Sequence, residues 1–385
     1  MYEEKLKFNE NGKFVIMQVS DAQDMHIPRR AMLKMLKKAY GKVNPDLVVL
    51  TGDNILGNHV NDAPIGNRKN VKTKEGTVKR IEKALSHILK PLDEKKIPFA
   101  FIYGNHDDKN CVSKEEQAQI YKKYKYCVPF NETDKSVDCD TYNVPVYSHD
   151  GKSIKFNLYM LDSAGSDENG ENSHEGIEPQ TVEWYKRTSD ELTRENGGEP
   201  VMSLMFAHIP VPRVAELFKR CKGEDKGAVK GPGGKHYKLD SKKAKGYAFE
   251  YPNSDVNKVT DSGLLEAVKS RSDVCGMVFG HDHLNSFVGE IDGINIVQTP
   301  GASFRSYGNM VSRGVRVFTI DENDTSAFET YTISYFDLFG KNFISVMRYI
   351  FNADEYEKIK TLVMVLFSIL VIGIVSYFLA IFHII

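Results

Sequence analysis

A chain of 385 residues with 41% hydrophobic and 27% charged content can bury a sizeable core, which excludes a disordered chain and suggests one large domain or two modest ones. Lys and Arg number 51 against 52 Asp and Glu, so no whole-protein field draws in nucleic acid, and any basic function is local. The five cysteines (Cys111, Cys127, Cys139, Cys221 and Cys275) form no CxxC pair and, with no secretory signal read before them, are expected to be reduced thiols.

Along the chain, apolar runs rich in β-branched residues alternate with helical periodicity, the pattern of βαβ units, and the fold class is α/β. The first run, residues 14–19, is too short for a signal-peptide core and reads as a strand. A helix over 31–40 follows, punctuated by Gly41 and Pro45. Strands over 47–51 and 98–103 flank a helix at 78–89, and another helix covers 113–124. Strand 154–161, helix 181–192 and strands 201–207, 274–279 and 294–298 continue the alternation. Residues 222–246 hold eight lysines against three acids and a Gly-Pro-Gly-Gly run, so they read as a solvated loop. The functional alternative is a lip that attracts anionic substrate or lipid head groups. Short strands over 285–335 suggest a second sheet or a sheet extension.

The end of the chain has a different character. Phe336, Phe339, Phe343, Met347 and Ile350 recur at steps of three or four with Lys341 and Arg348 between them, which fits a helix lying on a bilayer or packed on the domain. Residues 362–385 carry no formally charged side chain. As a helix they measure about 36 Å, enough to cross a hydrocarbon core of about 30 Å with some tilt. A buried core helix is disfavoured because the stretch is apolar on every face. Lys358 and Lys360 precede it and no basic residue follows, so a single pass with the large N-terminal part on the cytoplasmic side is expected. The organisation is thus 1–335 as the domain, 336–360 as an amphipathic juxtamembrane segment and 361–385 as a transmembrane helix.

The residues just after the apolar strands are rich in metal-ligand types: Asp21 and Gln23, Asp53, Asn105 with His106, His208, and His281 with His283. In open α/β sheets ligands bind outside the carboxyl ends of the strands, where side chains from distant segments converge. Singly, each has an ordinary explanation as a cap, turn or packed residue. Five such motifs in succession point to a metal site.

These blocks, Asp21-Ala22-Gln23, Gly52-Asp53-Asn54, Gly104-Asn105-His106-Asp107, His208 and Gly280-His281-Asp282-His283, resemble the calcineurin-like metallophosphoesterases over about residues 14–300. Gly280 to Asn285 and the segment 176–185 look most like the purple acid phosphatase-like branch. The resemblance implies a sandwich of two mixed β-sheets flanked by helices. It also implies two metals sharing Asp53, with Asp21, Gln23 and His283 at one and Asn105, His208 and His281 at the other. A hydroxide bridging them would attack a phosphomonoester or phosphodiester. His106 would face the phosphate and leaving group as proton donor, with Asp107 or Asp108 orienting its ring. The family usually has histidine where Gln23 stands. An amide oxygen is a harder, weaker donor, so two divalent or mixed-valence ions are expected with Mn or Fe favoured over Mg or Zn, and His26 is the alternative ligand. No tyrosine ligand stands at these blocks, against the iron site of true purple acid phosphatases. Ser303, Arg305, Tyr307 and the Asp162-Ser163 pair are further residues that could reach the pocket, whereas His59, His87, His149, His174 and His236 read as surface or packing residues.

The expected partners are a phosphoester substrate, lipid-linked in one version, and the membrane, with no strong nucleic-acid signal. The competing readings are a nuclease or nucleotide phosphatase, a phosphoserine phosphatase, and a membrane-bound scaffold that lost activity through Gln23.

Overall fold

The apolar runs pair into two large mixed sheets in the computed structural model, which describes residues 1–62, 70–166, 173–252 and 261–381. Five strands form the first, in the order Asp324–Ser334, Gly314–Asp321, Lys13–Val19, Leu47–Thr51 and Phe99–Ile102. Its last three strands run parallel, and Gly314–Asp321 pairs antiparallel with Lys13–Val19 in the register Lys13 to Asp321. The second sheet has eight strands, in the order Leu6–Lys7, Tyr142–Tyr147, Ile154–Leu161, Ser203–Ala207, Val274–Phe279, Ile294–Gln298, Ser286–Ile291 and Ala244–Tyr247.

Period-two burial decides how they stack. Leu204, Phe206, Val278 and Val297 join a core shared with Ile16, Val48 and Phe318 of the first sheet. Their chain neighbours Met205, Ala207, Met277 and Ile296 join a second core on the opposite face. The strands are therefore buried on both faces, which explains why they read as continuous apolar runs. Helices Arg30–Val43, Lys74–Lys95 and Lys114–Lys122 cover the first core, while Pro179–Glu195 and Leu264–Arg271 cover the second. Thr73 caps the second of these helices by accepting the Gly76 N–H, and Ser113 and Glu116 form a capping box at the third.

Three features depart from the sequence-based expectation. Residues 222–246 are not one loop: Phe218–Cys221, Val229–Lys230 and His236–Leu239 form a small antiparallel sheet, and Ala244–Tyr247 joins the edge of the eight-stranded one. Contacts of Phe218 with Tyr251 and Phe287, and of Tyr237 with Tyr251, anchor it beneath the lysines that dominate the composition. Strand Tyr142–Tyr147 and helix Leu264–Arg271 were not anticipated.

Residues after 335 pack onto the domain, the alternative to a helix lying on a bilayer. Gly340 separates Tyr335–Phe339 from Phe343–Asn352, and Tyr335, Phe336, Leu338, Tyr349 and Ala353 all belong to the first core. The terminal helix, Glu357–Ile381, is long and apolar enough to cross a membrane, with a mean hydropathy of 2.8 in its most apolar stretch and that stretch wholly exposed. Residues 382–385 of the expected span lie outside the described residues.

Candidate metal centre

Five strands, two from the eight-stranded sheet and three from the other, point their carboxyl ends at one place. Asp21 and Gln23 follow Lys13–Val19, Asp53 follows Leu47–Thr51, Asn105 follows Phe99–Ile102, His208 follows Ser203–Ala207, and His281 and His283 follow Val274–Phe279. The turns that aim them are unusual. Asp21, Gln23, Asp53 and His281 have φ of 51°, 33°, 47° and 70°, a left-handed conformation that L-residues adopt at a cost and that gathers at functional sites. Two glycines make the approach close. A Cβ on Gly52, itself at φ 81°, would lie 2.6 Å from the His208 ring, and one on Gly104 would lie 2.4 Å from the Asp53 carboxylate.

The side chains converge. His283 Nε2 lies 3.2 Å from Asp21 Oδ1, His208 Nε2 lies 3.5 Å from Asp53 Oδ2, and Asn105 Oδ1 is 3.2 Å from both His208 Nε2 and His281 Nδ1. Gln23 Nε2 donates to Asp53 Oδ2 at 3.0 Å. Backbone carbonyls set two of the imidazole tautomers: His208 Nδ1 is 2.9 Å from the Thr51 oxygen and His283 Nδ1 is 3.0 Å from the Tyr307 oxygen. With a proton held there, Nε2 is the ring atom each turns inward, the orientation typical of metal-binding histidines. Ser163, at the end of Ile154–Leu161, fixes the His208 backbone by accepting the N–H of His208 at 3.0 Å and of Ile209 at 2.9 Å.

These residues fit cations. Asp21 Oδ1 and Gln23 Oε1 are buried with no hydrogen-bond partner among the described residues, a state that costs free energy unless a positive centre faces them. Asp21, Asp53 and His283 present ligand atoms all within 4.8 Å of one another. The electrostatics agree. Burial alone would lower the His208 imidazole, but Asp53 and Asp21 raise it to about 10, so a proton is drawn into the space between the carboxylates. Burial works against Asp53 and Asp21 as carboxylates, yet the surrounding histidines hold both below the usual range.

His106 stands beside this cluster. Its N–H donates to Asp53 Oδ1 at 2.8 Å, and its ring Nδ1 is 3.1 Å from Asn58 Oδ1. Asp107 does not orient that ring. Its two oxygens accept the backbone N–H of Ile55 at 3.0 Å and of Gly104 at 2.8 Å, which braces the two loops against each other. A cavity of about 280 Å³ opens over Gln23, Asp53, Asn105, His106, His281 and His283. Its remaining wall includes Asn58, His59, Ser306 and Tyr307. Tyr307 stacks on His283 with centroids 4.2 Å apart.

His59, read as a surface residue, thus borders the cavity, paired with Asp62 at 2.8 Å. Arg305 is turned away from it, bonded to Asp24 and to the Ile27 carbonyl. Asp162 is engaged by Lys114. His26, the alternative to Gln23, also buries an unpartnered ring nitrogen, Nδ1, and burial with the nearby Arg80 and Arg305 lowers its pKa. The side chain of His174 lies outside the described residues.

Comparison with known proteins places these observations in a wider set. The sequence model of the calcineurin-like phosphoesterases matches residues 14–285, a span that contains every candidate ligand. The chain is 26% identical over 351 residues to "Probable inactive purple acid phosphatase 29" of Arabidopsis thaliana, covering 83% of this chain and 79% of that protein. It is 22% identical over 360 residues to "Phosphatase DCR2" of Saccharomyces cerevisiae, covering 84% of this chain and 54% of that protein. Among solved structures, a dimetal phosphatase from Danio rerio is similar with a TM-score of 0.42 and 14% identity, over 84% of this chain and 99% of that one.

Proposed function

This chain belongs to the calcineurin-like phosphoesterase family, and from that membership we propose that it is a two-metal phosphoesterase held at a membrane by its terminal helix. The observation that supports this reading best is the pair of orphaned buried oxygens, Asp21 Oδ1 and Gln23 Oε1, within the cluster of candidate ligands. Asp21, Gln23 and His283 would hold one cation, Asn105, His208 and His281 the other, and Asp53 both. Cations held there would neutralise the phosphoryl oxygens and lower the pKa of a water. His106 sits on the cavity wall, where burial lowers its pKa against the pull of Asp53, and serves as the proton donor to the leaving oxygen. Asn58 holds its ring in place and Tyr307 holds His283. Gln23 supplies a hard amide oxygen, which favours Mn or Fe over Zn. Lys358, exposed just before the apolar stretch, supports a cytoplasmic catalytic domain.

A second reading is a metal-poor binding protein. It is favoured by Gln23 in place of the family's usual histidine and by relatives whose names include "inactive". The two separate by experiment. Full-length protein in detergent should hold two equivalents of metal and hydrolyse an aryl phosphomonoester or diester in Mn²⁺. Asp53→Asn should lose both. His106→Ala should keep the metal and lose about 10²- to 10⁴-fold in kcat, the range of a general acid. A wild type that binds no metal and turns over neither ester establishes the binding protein instead.

A further inference from the structure

Helix Phe343–Asn352 is amphipathic the wrong way round for a soluble domain. Phe343, Ile344, Met347 and Phe351 fall within a sector of about 100° on its circumference. That sector faces outward, with Phe343 78% exposed, Ile344 68% and Phe351 42%. Ser345 and Tyr349, on the opposite side, are buried. Exposed apolar clusters of this kind mark contact surfaces.

What covers the face follows from its neighbour. The terminal helix packs against this one, and its own side chains from Leu362 onward are exposed almost without interruption. The join is rigid. Lys360 pairs with Glu357 at 2.9 Å and Asp354 at 3.8 Å, Asp354 pairs with Arg29, and Glu355 accepts from Arg313 and, at 3.0 Å, from the Tyr349 hydroxyl. Asp354 N–H also donates to the Phe304 carbonyl at 3.0 Å. Arg29 and Arg313 belong to the two loops beside the metal cluster: residues 24–29, which follow Gln23, and residues 303–313, which supply Ser306 and Tyr307 to the cavity wall. Each of these loops exposes an apolar side chain of its own, Ile27 and Val311, both 53% exposed. The exposed apolar residues therefore sit on segments fastened to the base of the apolar helix. Lys341 and Lys358 are exposed beside them, suited to anionic head groups.

We propose that the outward face of helix Phe343–Asn352, together with Ile27 and Val311, docks on the bilayer that holds the terminal helix, so that the cavity meets phosphoesters carried in the lipid headgroup layer. The substrate half of this rests on the phosphoesterase reading above; the docking half does not. Position 343 allows a direct test, because the chain has one tryptophan, Trp184, which is buried in the second core. Full-length Phe343→Trp is reconstituted in vesicles of phosphatidylcholine and phosphatidylglycerol with brominated acyl chains. The indole introduced at 343 should lose most of its emission, while one introduced by Tyr331→Trp, on the exposed strand Asp324–Ser334, should keep it. Equal emission from the two overturns the docking.

The activity arm uses Phe343→Ser with Ile344→Ser in the full chain, against vesicle-borne phosphatidic acid and a soluble aryl phosphate. Hydrolysis of the lipid should fall at least tenfold relative to the soluble ester, with metal content unchanged. An equal effect on both esters removes the headgroup substrate. Loss of the soluble activity in the wild type removes the phosphoesterase reading, while the quenching still decides the docking.

Discussion

Ser163 shows how much of the centre depends on side chains that touch no ligand ring. Its hydroxyl oxygen is the acceptor for two buried N–H groups, those of His208 and Ile209. Ser163→Ala leaves both unpaired, and such groups cost about 1–3 kcal/mol each. The variant should melt several degrees lower and bind Mn²⁺ more weakly, which calorimetry and metal titration report. Gly52→Ala should be harsher, because the added carbon meets the His208 ring and the backbone is left-handed there; loss of metal at retained helix content is the expected result. The residues that converge here were legible, since each follows an apolar run at a strand end. Asn58 was not, and Ser163 and Tyr307 were readable only as residues that could reach the pocket, without the partners they hold. They act across elements, at no fixed spacing from the residue they hold, and nothing in an isolated sequence marks such a contact. The left-handed φ of Asp21, Gln23, Asp53 and His281 was equally hidden, because none of them is the glycine that usually announces it.

At the scale of elements, helix Lys114–Lys122 is locked to the eight-stranded sheet by its first residue. Lys114 is 7% exposed and lies 3.0 Å from Asp138, 3.7 Å from Asp140 and 2.5 Å from Asp162. These three acids have the spacing of a metal site, yet the ammonium is the cation they surround. Lys114→Met leaves them uncompensated and should cost about 3–5 kcal/mol by denaturant titration. The same cluster gives a pH dependence. Burial pushes the Asp140 carboxyl up to about 8 in spite of Lys114, with Asp162 and Asp138 adding to the rise. Between about pH 4 and that value the folded chain keeps a proton that the unfolded chain has released. Stability is therefore lost as pH rises through this window, and Asp140→Asn should flatten the profile. The buried strands and the long surface helices were readable because their apolar periodicity is strong. The small sheet of residues 218–239 was not, since its strands are two to four residues long and lysines mask the Tyr237 and Leu239 that pack inward.

Across the whole molecule, the segment after 335 is part of the domain's core as well as the root of its apolar helix. Ending the chain at 335 removes Tyr349 and strips Glu355 from Arg313, which is 1% exposed. A chain of residues 1–335 should aggregate or melt well below one of residues 1–356, and the longer piece should retain its metal; scattering and metal analysis of the two would show it. The sequence revealed an apolar tail but not its attachment through Tyr349 and Glu355, because the aromatic spacing of 336–350 suits bilayer and core alike. The first sheet has one more consequence, for how the protein is made. Lys13–Val19 is completed on one side only by Gly314–Asp321, a partner three hundred positions downstream. On the ribosome, the strand that leads to Asp21 must wait with an open edge until some three hundred further residues have emerged. Loop closure over that distance, more than helix formation, should set the pace of folding. The apolar helix follows within some forty residues, so the finished site and that helix become available almost together.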